Sequence, residues 1–199
     1  MALLIQTSTG ARGRRMCRRL HIPLLLALLC ASAATAHAQT QVSEVTLKSA
    51  FLYKFIHYTD WPDETLGAAA SPIAICVIEQ EELALALEGA VSGRTSHEHP
   101  VTVRRIAGAG ELGGCHVLFV GSLDPAQLSQ VLDRASVQPT LTIGDAEGFA
   151  RRGGMINFTR RGSRLGFEIN RGPVRRAGLN LSSQLLKLAE LVPDESGDD

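Results

Sequence analysis

The sequence predicts a single three-layer α/β domain, with a mostly parallel sheet, helices on both faces and an antiparallel hairpin at one edge. Three observations predict it. Strand-like and helix-like segments alternate along residues 42–192, the pattern of a sheet wound by helical crossovers. Two segments, Ile73–Ile78 and residues 116–120, are unbroken apolar runs, as strands covered on both faces must be. Two further strand-like segments, 155–159 and 165–169, flank the polar turn Arg160-Arg161-Gly162-Ser163, too short for a helix, and so form a hairpin.

Residues 42–58 open the domain as a helix. Ser43 or Gln41 can start it, Val45, Leu52 and Ile56 share one face with Phe51 and Phe55 beside them, and Pro62 biases Trp61 away from helical geometry. A buried strand at Ile73–Ile78 precedes a short helix at 81–87, whose first-turn acids suit the helix dipole. Gly89 and Gly93 bound the next loop, and residues 100–105 alternate as a strand. After the apolar strand at 116–120, Asp124 caps a helix with Pro125 in its first turn. Residues 140–143 are a strand and 146–150 a single helical turn. Beyond the hairpin a helical segment starts at Pro173 and is interrupted near Gly178. Within it Leu181, Leu185, Leu188 and Val192 form an apolar stripe. No linker or repeat divides 44–192, which therefore counts as one domain, followed by an acidic tail at 193–199.

The first 38 residues are a different kind of sequence. Arg14, Arg15, Arg18 and Arg19 form a basic head, 22–30 is a short apolar stretch, and Ala36-His37-Ala38 is an A-x-A end. These are the three parts of a secretory signal peptide, with cleavage expected after Ala38. The apolar stretch is well short of the roughly 20 residues that a membrane span needs. Cleavage changes the charge arithmetic. The whole chain balances 20 basic against 20 acidic residues, but residues 1–38 hold five arginines and no acid, so the exported part carries a net charge of −5. Such a domain is a poor general nucleic-acid binder, because neutralising phosphates needs an excess of Lys and Arg.

Cleavage also leaves two cysteines, Cys76 and Cys115. In an oxidising compartment two cysteines most simply form one disulfide. The alternative is a metal site joining Cys115 and His116 to His97 and His99, but it lacks the paired spacings of zinc modules. Other chemistry finds little support. Gly108-Ala109-Gly110-Glu111-Leu112-Gly113 matches a dinucleotide fingerprint in letters only, since a strand rather than a helix follows it. His97 and His99 fall in a polar loop, His116 begins a buried strand, and Ser182-Ser183 sits at a helix turn. No nucleophile elbow, paired carboxylates or metal-ligand pattern stands out, so the expectation is a non-enzyme without metal or cofactor.

Charge distribution is more informative. Between residues 151 and 176 lie eight of the exported part's fifteen basic residues, and Glu168 is the only acid. Arg160, Arg161, Arg164, Arg171, Arg175 and Arg176, with Arg94 joining from an earlier loop, suit an anionic ligand or an acidic partner face through planar bidentate donors. The competing reading is of solvated charges scattered around an edge hairpin.

Taken in order, several short stretches resemble the YfiR/HmsC-type family of exported proteins. They are Ala50-Phe51-Leu52-Tyr53-Lys54-Phe55 running to Asp60-Trp61-Pro62, Ile75-Cys76-Val77-Ile78, Gly93-Arg94 before Val101-Thr102-Val103-Arg104, and Cys115-His116-Val117-Leu118-Phe119-Val120. Later come Gly153-Gly154-Met155-Ile156-Asn157-Phe158, Phe167-Glu168-Ile169-Asn170, and Ala177-Gly178-Leu179 with Ser182-Ser183-Gln184-Leu185-Leu186. The resemblance implies a periplasmic regulator that binds the periplasmic sensor region of an inner-membrane diguanylate cyclase. It would hold the enzyme inactive, lowering cyclic-di-GMP and biofilm formation, until an outer-membrane lipoprotein draws it away. The family's disulfide carries over onto Cys76 and Cys115, whereas a second one found in some members has no cysteines here. Interface residues are not carried over. The alternative expectation is a periplasmic sensor or carrier with a small anion docked near Arg94 and the 160–176 arginines. A hydrolase would require a pocket clustering His97 or His116 with a carboxylate. The sequence leaves room for a homodimer and specifies no interface for one.

Overall fold

Capping decides where the helices begin. The computed structural model describes residues 43–68 and 70–193, so the export signal with its cleavage point, and tail residues 194–199, lie outside the described residues. The first helix, α1 (Glu44–His57), starts where the Ser43 hydroxyl accepts from the Thr46 N–H at 3.1 Å, satisfying one of the four unpaired N–H groups of its first turn. It runs into a two-residue strand, β1 (Thr59–Asp60), where the buried Thr59 hydroxyl donates to the Phe55 carbonyl at 2.7 Å. Then follow β2 (Ile73–Ile78), α2 (Glu81–Val91), β3 (Thr95–Ser96) and β4 (His99–Arg105). Next are β5 (Val117–Val120), α3 (Pro125–Ser136) and β6 (Leu141–Gly144). At α3 the Asp124 carboxylate accepts from the Gln127 N–H while the Gln127 side chain returns to the Asp124 N–H, a full capping box. The chain ends with β7 (Ile156–Arg161), β8 (Arg164–Asn170), α4 (Arg171–Arg176), β9 (Asn180–Leu181), α5 (Ser183–Leu188) and β10 (Glu190–Val192).

Among the described residues eight strands form one sheet in the order β10-β8-β7-β6-β5-β2-β4-β3, and β1 pairs with β9 in a separate two-stranded ladder. The pairs β4–β2, β2–β5, β5–β6 and β6–β7 are parallel, while β7 and β8 run antiparallel as the expected hairpin. The fold class is the one read from the sequence, with one addition: β10 pairs in parallel outside β8. Side chains alternate across each strand, so β2 sends Ile75 and Val77 to one face and Cys76 and Ile78 to the other. The first face packs against α1, α2 and the segment from Val174 to Leu185, with Phe55 at its centre. The Phe55 ring lies 5.0 Å from that of Phe167 and 5.6 Å from that of Phe158. The second face packs against α3 through Leu128, Val131, Leu132 and Ala135. Cys76 and Cys115 meet on this face and are joined by a disulfide, with Cα atoms 5.7 Å apart, which removes both from any metal site.

Two segments depart from the sequence reading. Residues 146–150 are a series of turns rather than a helical turn, because Gly148 and Gly153 adopt the left-handed conformation that ends helical progression. The turns carry Phe149 into the core. Its ring is fully buried between Gly144 and Gly154, where added Cβ atoms would come within 2.6 and 2.1 Å of it. The C-terminal stripe is not one helix. Gly178, at φ +71°, closes α4 in a Schellman motif, with Gly178 N–H donating to Arg175 and Leu179 N–H to Val174. Leu181 and Val192 then fall in short strands, and of the four stripe residues only Leu185 is buried within a helix.

At the carboxyl ends of the parallel strands the order reverses between β2 and β5, the switch point where open α/β sheets usually bind ligands. Here the backbone is close-packed at that point, and a groove of about 430 Å³ lies beside it at the ends of β2 and β4, lined by Glu79, Gln80, Glu81 and Arg105. The Gly121 N–H donates to the Ile78 carbonyl at 2.9 Å, and a Cβ at residue 121 would lie 2.5 Å from the Glu79 carbonyl oxygen.

Candidate functional site

The β7–β8 hairpin turns through Gly162 and Ser163, with Gly162 at φ +61° as a tight two-residue connection requires. This places Arg161 directly opposite Arg164. Arg160 reaches back to an ion pair with Glu44 on α1, and Arg161 crosses to an ion pair with Glu190 on β10. Arg164 is exposed and makes no ion pair among the described residues. Together Thr159, Arg161, Arg164, Leu165, Leu188 and Glu190 line a groove of about 600 Å³ beside the hairpin. Deeper along the same strands the Asn157 amide donates to Glu168 at 3.0 Å, while its carbonyl oxygen is buried without a partner among the described residues.

The other arginines lie elsewhere. Strand β8 has seven residues at about 3.4 Å each, so Arg171 at the start of α4 stands roughly 20 Å from the hairpin tip, and Arg175 and Arg176 follow it on that helix. Asn170 anchors α4 by accepting from the Gly172 N–H and donating to the Ala150 carbonyl. Arg94 belongs to the opposite end of the sheet beside β3 and lies over the Tyr53 ring at 5.1 Å. The seven arginines picked out from the sequence thus occupy three places rather than one strip. The sequence offers exposed apolar residues of the end helices as a partner surface but does not join any of them to the hairpin arginines. Leu188 and Leu191 are 73 % and 50 % exposed; the stripe reading places Leu188 in one long helix, whereas it ends α5 just before the edge strand β10 that carries Leu191.

The histidines are tied to the backbone. His97 forms, with Glu98, the two-residue turn between β3 and β4, both at positive φ, and its Nε2 donates to the Ile56 carbonyl at 3.1 Å. His99 donates through Nδ1 to the Ser71 carbonyl at 2.8 Å. His116 accepts the Ala74 N–H at Nδ1, which leaves Nε2 as the donor to the Thr65 carbonyl at 3.3 Å. Among the described residues no hydrogen bond or ion pair with a carboxylate is found at His97 or His116, and none of their His, Cys, Asp or Glu gather in a group of three or more able to hold a metal. The arrangement of the hydrolase reading is therefore missing among the described residues.

Burial pushes the His116 pKa below its ordinary value, partly opposed by the Thr65 hydrogen bond and helped by nearby His99. A folded-state value below the unfolded one of about 6.5 means that the stability contribution is complete above that pH and is lost as pH falls through the folded value. Urea denaturation at pH 7.5 and at pH 5 is expected to show lower stability in acid. His116→Asn keeps an acceptor for Ala74 but loses Thr65. It is expected to cost about 1 kcal/mol at pH 7.5 and to flatten the acid slope. An unchanged slope would remove His116 as its source.

A model of the family described as YfiR/HmsC-like matches residues 45–190, well over half of the chain. The chain belongs to the YfiR/HmsC-like family. The described residues present grooves and charged edges, and no group of three or more His, Cys, Asp or Glu able to hold a metal is found among them. Among solved structures, a conserved domain protein from Vibrio cholerae is similar at a TM-score of 0.51 and 10 % identity, over 76 % of this chain and 61 % of that one. The YfiR/HmsC-like chain thus spans about three fifths of that protein, and the likeness concerns fold alone. More distant are an ABC domain in complex with L-Trp from Streptococcus pneumonia (TM-score 0.44, 14 % identity, 60 % and 55 % covered) and a substrate binding protein with adhesive properties from Clostridium difficile (TM-score 0.46, 12 % identity, 73 % and 58 % covered).

Proposed function

We propose that this YfiR/HmsC-like protein is a periplasmic sensor or carrier that binds a small anion in the groove beside the β7–β8 hairpin. The observation that carries this reading is the pair of guanidinium groups at the groove. Arg161 is already aligned by Glu190, and Arg164 faces solvent without an ion pair among the described residues. A carboxylate or phosphate can compete with Glu190 for Arg161 while Arg164 completes a planar two-armed clamp. Leu165 and Leu188 supply apolar contact for the rest of the ligand, and a groove of about 600 Å³ is of small-molecule size. Export through the signal at 1–38 would place the site in the periplasm. The test is calorimetric titration with phosphate, citrate and an aromatic carboxylate. At least one is expected to bind, and Arg164→Glu is expected to weaken it at least about tenfold, the equivalent of one charge-assisted contact. If all three fail to bind, or bind equally to the variant, this reading falls.

A second reading is favoured by family membership and by two exposed leucines, Leu188 in the groove with the same arginines and Leu191 on the edge strand β10. Here the hairpin edge binds the periplasmic sensor region of an inner-membrane diguanylate cyclase and represses it, lowering cyclic-di-GMP and biofilm formation. An outer-membrane lipoprotein would relieve the repression. Deleting the gene should then raise cyclic-di-GMP, and Leu191→Asp should fail to restore it. An unchanged level in a strain that keeps its cyclase counts against this reading.

A further inference from the structure

Arg94 has no part in the hairpin groove, yet it is held in place with care. The Tyr53 hydroxyl donates to the Thr95 carbonyl at 3.0 Å, and the guanidinium of Arg94 lies 5.1 Å from the Tyr53 ring centre, so its charge is positioned by a cation–π contact. It stands at one end of a second groove, about 240 Å³, between α1 and the last turn of α2. The α1 wall presents Leu47, Ala50, Phe51 and Lys54, the i, i+3, i+4, i+7 spacing of a helix-packing stripe, and Ala90 faces it from α2.

Three features say what fits there. The floor is apolar: Phe51 is half-buried and fixed by the rings of Phe55 and Phe167, each 5.9 Å away, and Leu47 is 37 % exposed. The small residues Ala50 and Ala90 leave room for an incoming side chain, and a stripe at this spacing accepts the ridge of a third helix. Both charged lining residues, Lys54 and Arg94, are cations. The volume falls below the roughly 300 Å³ at which small-molecule pockets begin, which favours inserted side chains over a free ligand.

We propose that the α1–α2 groove docks an acidic amphipathic helix from a partner protein. An apolar side chain of that helix lies over Ala50 and Ala90 against Phe51, and a carboxylate one turn away meets Arg94 and Lys54. This site is separate from the hairpin groove and stands or falls independently of it.

The test uses fluorescence anisotropy with two labelled helical peptides, alike in a Leu stripe at heptad spacing but carrying Glu in one and Lys in the other on the flanking positions. The acidic peptide is expected to bind and the basic one to bind at least about tenfold more weakly, with the difference shrinking as salt is raised. Ala50→Trp, which fills the groove, and Arg94→Glu are each expected to weaken the acidic peptide at least about tenfold, while Arg164→Glu leaves it unchanged. Should Ala50→Trp not fold, Leu47→Glu takes its place on the same wall. Equal binding of both peptides, wild-type affinity in the groove variants, or saturation by dodecanoate with no peptide binding would each overturn the proposal.

Discussion

Replacing Cys76 and Cys115 together by alanine is expected to lower the stability of the domain by roughly 3–4 kcal/mol, about 10 °C in melting temperature for a chain of this size. The bond closes a loop with a sequence separation of 39 and ties the centre of β2 to the residue that leads into β5. Without it the unfolded chain regains the freedom that the loop removes, and two buried positions lose their contacts with the α3 side of the core. The domain is nonetheless expected to stay folded, because each sheet face has its own helical cover and some 150 residues bury enough apolar surface without a cross-link. Thermal melts of the double variant, and of the unaltered protein in dithiothreitol, check this together. Two reactive thiols in the unreduced exported protein, or melts that coincide, would contradict it.

A comparable loss is expected from one methyl group. Gly154→Ala would set a Cβ within 2.1 Å of the Phe149 ring, which is fully buried and already backed by Gly144 on its other side. The ring has no direction in which to yield, so the expected destabilisation is about 3 kcal/mol, the upper end of overpacking costs. Phe149→Ala opens a void instead and is expected to cost about 3–5 kcal/mol. Because both changes act on one contact, Gly154→Ala combined with Phe149→Ala should lose less than the sum of the two singles. Urea titrations of the four proteins read this directly. A Gly154→Ala protein within 0.5 kcal/mol of the parent would mean that the ring is not confined.

What the sequence revealed follows from how local each signal is. Strand β2 was legible to the residue, because six apolar positions sit between Pro72 and the polar Glu79-Gln80. Helix α3 was equally plain, since Asp124, Pro125 and Gln127 form a start signal within four residues. Strands β1, β3, β9 and β10 were not legible: two or three residues have no periodicity, and Thr59 is strand only because Leu181 arrives beside it. The C-terminal leucines misled for a related reason. Their spacing satisfies a helix, but the left-handed Gly178 and the Ser182 cap divide the segment before any helix can use it. The arginines show the same limit for a binding surface. Arg160, Arg161 and Arg164 are close because a tight turn joins them, whereas Arg171 follows them in sequence and is carried away by the length of β8. Glu44 and Glu190, which align two of those arginines, come from the two ends of the domain, and nothing local announces them.

The close-packed junction at Gly121 bears on how such a protein can diverge. In sheets of this order the central crevice is where a ligand is usually inherited, and a change of ligand there disturbs strands on both sides. With backbone packed on backbone between β2 and β5, a side chain added at Gly121 would part the strands. The two proposed sites draw instead on exposed positions at the rim, such as Arg164, Leu188 and Arg94. Exposed substitutions there shift stability by only about half a kcal/mol either way. Such a scaffold can exchange its partners by neutral drift at the margins over a long lineage while its middle stays the same.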